Sequence, residues 1–420
     1  MFKKYYQTVK YLESLANISR AEYMREKGRD FYLRRTEELI KKLKINLNQF
    51  KLIHITGTAG KGSVTAMVHS ILNEAGKKVG SFYSPHPTTS IERIKVSDKY
   101  IAPDIFSDLV EKIKPVINQM SRQSKFGPPS YFEIFFALAL LYFQKKKCEY
   151  LVLEVGCGGE FDATNIIPAP KLAAITNIGY DHTHILGSSL EKIARAKAGI
   201  IKKGSIFVTT EKRPKILKIF HKICKNRGCE YRPVANITDE VWENNRQLAR
   251  EMASILDIKK NIMERGIEKT KLSCRFELMQ KKPLVVLDGA HNYDKLKSTF
   301  ANLKKLKFNK LFLIFTLNEN KNVRKILKMI NKELPQGSAI YLAHHLVAAR
   351  TCADLKMMYN LFSSAHKKNI SIYVDPWMAL DQAIKKARQN DLILITGSFY
   401  LTGELRQKWI SEKKILKINS

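Results

Sequence analysis

Apolar residues along this chain alternate between short β-branched runs and longer stretches with helical spacing. In the first half, strand-like runs lie at 52–56, 150–155, 172–178 and 206–209. Helical spacing appears between them at 64–75, 105–120, 132–143 and 190–200. Such alternation predicts an α/β domain with a mostly parallel sheet, preceded by a helical lead-in over residues 1–48.

A second series of the same kind begins after Cys274. It predicts a second, smaller, Rossmann-like α/β domain with strands at 284–287, 311–317, 340–343, 370–374 and 392–396. The polar stretch at 269–273 marks the boundary, so we expect domains at 1–272 and 273–420. The length of 420 residues agrees, because it exceeds what one hydrophobic core normally organises.

The most informative single stretch is LIHITGTAGKGSVTA, at residues 52–66. It is a strand, a glycine-rich turn and a helix, the arrangement of a P-loop-type phosphate site. Glycines let backbone N–H groups approach anionic oxygens, and a helix N-terminus adds partial positive charge. The pattern predicts Lys61 on the β- and γ-phosphates of a nucleotide and the Ser63 hydroxyl on Mg²⁺. The alternative is an ordinary glycine-rich β–α turn.

Three further residues have types and positions that indicate chemistry. Glu154 ends a strand-like run, and a carboxylate there points into the ligand crevice of a parallel sheet, where it can serve as a Mg²⁺ ligand or as a simple strand-end cap. His182, in the segment DHT, is either a metal ligand or a packed polar residue. Lys197 lies between two alanines on a predicted buried helix face, where the pKa of a lysine can fall enough for it to react.

The charge balance is strongly basic, with 73 Lys and Arg against 39 Asp and Glu. A net charge of +34 favours polyanionic partners, namely nucleic acid, an anionic membrane or poly-acidic metabolites. The basic residues are dispersed, however, and neither an RNP-type motif nor a Cys/His finger is present. We therefore expect no nucleic-acid partner, and a general lysine-rich composition is the alternative explanation of the charge.

The chain also lacks the features of a secreted or membrane protein. Its N-terminus has no signal-peptide apolar core, and no window reaches the ~18 apolar residues of a membrane span. The six cysteines are sparse and irregularly spaced, which indicates reduced thiols. We expect a cytoplasmic protein without membrane contact.

Nine motifs occur in an order that closely resembles the folylpolyglutamate synthase/dihydrofolate synthase family, a branch of the Mur-type ligases. They are GTAGKGS (57–63), SPH (84–86), ERI (92–94), SYFE (130–133), EVGCGGEFDATN (154–165), DHT (181–183), KAGIIKKG (197–204), LDGAHN (287–292) and TGSFYLTGE (396–404). The resemblance implies an ATP-dependent ligase that joins L-glutamate to a folate or dihydropteroate carboxylate through an acyl phosphate and releases ADP and phosphate. It also implies a C-terminal glutamate-ligase domain, small-molecule substrates as the partners, and a monomer.

By the same resemblance, the first domain supplies the phosphate and metal contacts. Lys61 would bind phosphate, Ser63 and Glu154 would hold one Mg²⁺, and His182 and Lys197 would hold a second. Lys197 would act as a carbamate formed with CO₂, which replaces a cation by an oxygen ligand suited to Mg²⁺. The nucleotide contacts implied in the phosphate loop are Gly57, Thr58, Gly60, Lys61, Gly62 and Ser63.

Four further contacts are implied outside that loop. Asn245 matches the nucleotide-binding asparagine of the family, although the adjacent Asn244 also fits. Arg275 would reach the ATP phosphates and Asp288 the ribose. His291 would lie near the transferred phosphate and take part in catalysis with Lys61, His182 and Lys197.

The chain departs from the family pattern at several positions. Ala59 stands where asparagine is usual, Cys157 where leucine is common, and Glu160 where arginine is expected. These departures bear on substrate choice and turnover, and the charge and the phosphate loop suggest a further alternative, so three other interpretations stay open. They are a Mur-type ligase for another acid, a nucleic-acid-dependent NTPase, and a divergent member that binds folate or nucleotide with little turnover.

Overall fold

The computed structural model describes residues 2–15, 30–347 and 351–420, so the part of the predicted lead-in at 16–29 lies outside the described residues. The chain forms two compact units. The first contains residues 1–86, 90–271 and 416–420, and the second contains residues 87–89 and 272–415.

The first unit is built on an eight-stranded sheet with the strand order β4-β3-β2-β5-β1-β6-β7-β8. Strands β2 and β5 to β8 run parallel to β1, whereas β3 and β4 add antiparallel pairs at one edge. The strands are β1 (Lys51–Thr56), β2 (Val79–Phe82), β3 (Ile94–Val96), β4 (Lys99–Tyr100), β5 (Tyr150–Glu154), β6 (Leu172–Ile175), β7 (Ile206–Thr209) and β8 (Glu230–Pro233). The four predicted strands are confirmed.

Helices pack on both faces of this sheet, and those predicted at 64–75, 105–120, 132–143 and 190–200 are confirmed with shifted ends. Among the described residues, no helix is long and apolar enough to cross a membrane. The α-helices are Lys3–Ser14, Phe31–Lys42, Lys61–Glu74, Pro103–Gln123, Tyr131–Lys145, Thr183–Leu186, Leu190–Ala198, Pro214–Arg227, Val241–Ile255 and Lys260–Glu268, and the 3₁₀ turns are Leu47–Gln49, Ser90–Arg93 and Ala163–Ile166.

The most buried helix of the first unit, Tyr131–Lys145, is anchored at its N-terminus by paired charges. The Ser130 side chain caps the backbone of Glu133, and the Glu133 carboxylate caps Ser130 in return. The same carboxylate accepts two hydrogen bonds from Arg35, at 2.7 and 2.9 Å. Both side chains of the pair are only 1% exposed, so each charge depends on the other for compensation.

The second unit is built on a six-stranded sheet with the order β13-β12-β11-β14-β10-β9. All pairs are parallel except β9–β10. The strands are β9 (Glu277–Lys281), β10 (Leu284–Asp288), β11 (Leu311–Phe315), β12 (Ala339–Ala343), β13 (Ile370–Tyr373) and β14 (Leu392–Thr396). The five predicted strands are β10 to β14, all confirmed.

Helices cover this sheet on both faces. Alternate residues of one strand serve opposite layers, as in β10, where Val286 packs in one core and Val285 with Leu287 packs in the other. The helices are Tyr293–Leu303, Val323–Glu333, Leu355–Leu361, Ser364–Lys367, Pro376–Lys386, Phe399–Leu405 and Glu412–Ile418, with a 3₁₀ turn at Arg406–Lys408.

Candidate active site

The glycine-rich loop between β1 and helix Lys61–Glu74 has no room for side chains at two positions. Gly60 caps the helix in the left-handed region, at φ +88°, and a Cβ there would lie 2.2 Å from the Asn245 Oδ1 atom. A Cβ at Gly57 would lie 1.8 Å from the Thr176 hydroxyl oxygen. Glycine is therefore required by conformation at Gly60 and by close neighbours at both sites.

The N–H groups of this loop are divided between internal bonds and the open helix end. The N–H groups of Thr58 and Ala59 donate to the Asn177 side-chain oxygen, at 3.2 and 2.8 Å. The first helical N–H groups, at 61–63, have no acceptor within the helix. An anion would therefore meet the helix end, while Asn177 holds the loop in shape.

Two lysines converge on one carbonyl of the loop. The ammonium groups of Lys61 and Lys197 each donate to the Gly57 carbonyl oxygen, at 3.0 Å. Lys197 is 4% exposed, and its burial, together with the nearby Lys61 charge, lowers its pKa to about 7. The structure thus brings together two predicted site residues that lie far apart in the sequence.

The two predicted Mg²⁺ ligands Glu154 and Ser63 lie at the same edge of the sheet. Glu154 ends β5 opposite Ile55 of β1, and Ser63 stands in the first turn of the helix that follows β1. Both are buried, at 2% and 6% exposure. One Glu154 oxygen accepts from the Ser84 N–H at 3.1 Å, so the carboxylate does cap this neighbouring segment.

The oxygen atoms of Glu154 and Ser63 are ligands that suit a hard cation. In the part of the chain that the structure describes, no three His, Cys, Asp or Glu side chains cluster as a metal cage. Mg²⁺ in nucleotide sites uses one or two carboxylates and completes its shell with phosphate and water oxygens. A buried carboxylate and a buried hydroxyl therefore fit one Mg²⁺ that arrives with a nucleotide.

His182 occupies a strained loop position beside an acid. Its φ is +51°, and its backbone N–H donates to Asp181 Oδ1 at 3.0 Å. The ring Nε2 lies 3.9 Å from Asp181 Oδ2, and the side chain is 35% exposed. The Asp181 charge acts to raise the pKa of Lys197, against the larger effect of burial, so this loop lies near Lys197. Metal ligation by His182 stays a prediction.

The structure distinguishes Asn244 from Asn245. The Asn244 amide is engaged by Thr238, accepting from its N–H at 2.8 Å and donating to its carbonyl at 2.9 Å. Asn245 is 4% exposed and faces the phosphate loop at Gly60. The geometry therefore favours Asn245 as the residue beside a bound phosphate.

In the second unit, Asp288 lies at the carboxyl end of β10. Its carboxylate accepts from the Ala290 N–H and the Thr299 hydroxyl, both at 3.0 Å. Burial nevertheless raises its pKa to about 6, with these bonds and the charges of Arg275 and Lys295 opposing the shift. The Arg275 guanidinium lies 5.5 Å from the centre of the Phe399 ring.

His291 follows three residues later and is held in one tautomer. Its Nδ1 lies 2.8 Å from the Gly289 carbonyl oxygen, and its Nε2 lies 3.1 Å from the Lys295 ammonium. Because an ammonium only donates, Nε2 accepts and Nδ1 carries the proton. Lys295 was not predicted, although its place four residues after His291 on a helix start was a usable signal.

The three departures from the family pattern have different environments. Ala59 and Cys157 are buried, at 2% and 8% exposure. Glu160 is exposed, and its backbone N–H donates to the Ala196 carbonyl at 2.8 Å. Gly199 packs directly against the Glu160 backbone. The charge reversal at Glu160 thus falls on a side chain directed to solvent.

Two α/β units, with a P-loop-type strand, glycine turn and helix in the first, are typical of proteins that bind nucleotide phosphates. Comparison with known proteins identifies the family. Residues 55–279 match the Mur ligase middle domain, and residues 274–399 match the Mur ligase, glutamate ligase domain. The chain therefore belongs to the Mur ligase family.

Individual relatives align with nearly the whole length of this chain. It is 29% identical to a dihydrofolate synthase/folylpolyglutamate synthase of Bacillus subtilis, over 90% of this chain and 94% of that protein. It resembles a folylpolyglutamate synthase structure from Thermotoga maritima with a TM-score of 0.78 and 26% identity, over 98% and 97% of the two chains. A bifunctional folylpolyglutamate synthase/dihydrofolate synthase with Mn, AMPPNP and L-glutamate bound shares the fold, with a TM-score of 0.80 and 23% identity over 95% and 96%.

Proposed function

We propose that this chain is an ATP-dependent ligase that adds L-glutamate to the carboxyl group of a folate or dihydropteroate. The observation that carries the proposal is the convergence of Lys61, Lys197 and Asn245 on the phosphate loop. The name of the Bacillus subtilis relative supports the folate acceptor. The structure of the bifunctional folylpolyglutamate synthase/dihydrofolate synthase with Mn, AMPPNP and L-glutamate bound supports ATP, glutamate and a divalent metal as the other participants.

The reaction follows from where the cationic groups lie. Lys61 and the open N–H groups at the start of its helix hold the phosphate oxygens of ATP. The acceptor carboxylate attacks the γ-phosphorus, the bond to ADP breaks, and an acyl phosphate forms. The glutamate amine then attacks the acyl carbon, phosphate leaves, and the amine proton is lost. The Lys61 charge stabilises the phosphoryl oxygens as the negative charge redistributes.

Ser63 and Glu154 would hold one Mg²⁺, which when bound would neutralise charge on the phosphate oxygens. In the second unit, we propose that Arg275 contacts phosphate, Asp288 the ribose and His291 the transferred phosphate. Because Nδ1 of His291 carries the proton, its Nε2 is the hydrogen-bond acceptor, and the Lys295 ammonium donates to it. These assignments rest on the motif resemblance and on the local geometry of each unit.

Lys197 is proposed to react with CO₂ and become a carbamate, which together with His182 would hold a second cation. The step requires an uncharged amine, which attacks the carbon of CO₂ and releases one proton. With its pKa lowered to about 7 by burial, the Lys197 side chain is far more readily uncharged at neutral pH than an ordinary lysine, which is almost fully protonated. Burial therefore supplies the reactive form.

The deciding experiment measures ADP release from ATP with each candidate acceptor. We expect release that requires both L-glutamate and a reduced folate or dihydropteroate, with a mass increase of one glutamate in the acceptor. ADP release that depends on single-stranded nucleic acid would favour the NTPase reading. Tight nucleotide binding without turnover of any acceptor would favour the non-catalytic reading.

Two variants connect that activity to the site. Lys61→Ala should nearly abolish ADP release, while Lys78→Ala, an exposed lysine beyond the same helix, should leave it unchanged. Intact-protein mass spectrometry in bicarbonate should detect CO₂ on Lys197 in the parent protein and none in Lys197→Ala. Unchanged turnover in Lys61→Ala would refute the phosphate-site assignment, and a Lys197 that never gains CO₂ would refute the carbamate.

A further inference from the structure

A second concave site lies in the C-terminal unit, away from the residues assigned above. It is a cavity of about 540 Å³, a volume in the range of small-molecule sites. Most of its lining is polar, and it also includes Phe312 and Tyr341, whose buried rings lie nearly parallel at 11° with their centres 6.4 Å apart.

The rim of the cavity is cationic. Lys310, Lys368, Lys386 and Arg388 line it, and the only acid among its lining residues is Asp391. Among the described residues, no carboxylate lies within ion-pair distance of these four side chains. Four positive charges against one carboxylate around one concavity raise the local concentration of anions.

Asp391 offsets at most one of those charges, and backbone N–H groups rather than the cationic side chains bond to its carboxylate. One oxygen accepts from the Lys310 N–H at 3.1 Å, and the other accepts from the Arg388 N–H at 2.7 Å. The acid thus shapes the two turns that carry Lys310 and Arg388. The amides of Asn309 and Asn369 add neutral polar groups to the same lining.

The cavity lies at the sheet edge opposite Asp288. Its lining includes the residues that start β12 and β13 and those that precede β11 and β14, so it marks the amino ends of parallel strands. Asp288 lies at the carboxyl end of β10, next to Thr396 at the end of β14. Strands of five residues separate the two edges by about 15 Å.

We propose that this cavity is a binding site for a small organic polyanion, distinct from the site at Asp288. The ligand carries at least two phosphate or carboxylate groups, which meet the cationic rim. Nucleotide phosphates and oligo-γ-glutamate chains share this chemistry. The proposal does not depend on the ligase reaction.

Lysine acetylation followed by peptide mass spectrometry tests the site at residue level. The probes are ADP, tripolyphosphate and tri-γ-glutamate at millimolar concentration, each added to the full-length protein. We expect at least fivefold slower acetylation of Lys310, Lys368 and Lys386, with Lys385 and Lys332 unaffected as exposed controls in the same unit. Protection by the phosphate probes alone assigns a phosphate ligand, and protection by tri-γ-glutamate alone assigns a polycarboxylate.

A pair of charge-matched variants provides the second measurement. The triple variant Lys368→Gln, Lys386→Gln, Arg388→Gln should bind the protecting probe at this site at least tenfold more weakly by calorimetry. A control triple, Lys332→Gln, Lys385→Gln, Arg324→Gln, removes the same charge from exposed positions outside the cavity and should bind like the parent.

Three results would overturn the proposal. They are the absence of protection with all three probes, equal protection of Lys385 and Lys332, and equal weakening in both triple variants. A single-stranded oligonucleotide that protects all five lysines alike would instead indicate a general basic surface.

Discussion

Gly60→Ala tests whether the phosphate loop and Asn245 act as one fitted unit. The added Cβ would lie 2.2 Å from Asn245 Oδ1, whereas ordinary contacts begin near 3.4 Å, so the amide must move by more than 1 Å. The φ of +88° adds backbone strain of roughly 1–2 kcal/mol for any residue with a Cβ.

These two effects have separate consequences. Strain lowers the free energy of unfolding, while displacement of loop and amide by ~1 Å is enough to cost about 10²-fold in rate when a group positions substrate. We therefore expect kcat/KM for ATP to fall about 100-fold in Gly60→Ala. The assay is ADP release over a range of ATP concentrations, with denaturant unfolding measured in parallel.

Gly76→Ala is the matched control. Gly76 follows the same helix at φ +72° and has no atom within 4 Å of the position a Cβ would take. It should lose a similar stability of about 1–2 kcal/mol and retain activity. If Gly60→Ala were as active as Gly76→Ala, the fitted contact between the loop and Asn245 would have no part in nucleotide binding.

Three further predictions concern charge. Arg35→Met should lower the free energy of unfolding by about 3–5 kcal/mol in denaturant titration, because it leaves the buried Glu133 carboxylate uncompensated; a loss below about 1 kcal/mol would contradict this. The pKa of Asp288 is raised to about 6 from 3.8, so the folded state binds its proton more tightly and stability falls as pH rises from about 4 to 6. Asp288→Asn should therefore be more stable than the parent at pH 7, and the difference should vanish near pH 4. Glu160→Arg should leave the acceptor KM within about twofold, since this side chain is exposed, and a several-fold drop would show that it faces the acceptor.

Two of the strands that the sequence pattern missed, β8 and β9, share a physical cause. Strand β9 (Glu277–Lys281) is largely polar and only partly buried, and β8 (Glu230–Pro233) is an exposed edge strand. Neither buries enough apolar surface to leave a period-2 signal, because their position comes from pairing with a neighbour. The strands that were predicted are apolar along their length, since both of their faces are covered by helices. Strand β2 (Val79–Phe82) is also buried, but its four residues include Gly80 and Ser81 and therefore form no apolar run.

The local pattern of residues is enough to predict the phosphate loop, because a strand, a glycine turn and a helix are contiguous and bring their own N–H groups and lysine. The sequence also determined the family through its ordered motifs. The distant groups that meet that loop are set instead by tertiary packing. It placed the Lys197 ammonium on the same carbonyl as Lys61, and Asn245 rather than Asn244 against Gly60. Such contacts depend on the packing of separate helices, and the depressed pKa of Lys197 follows from burial that no local pattern specifies.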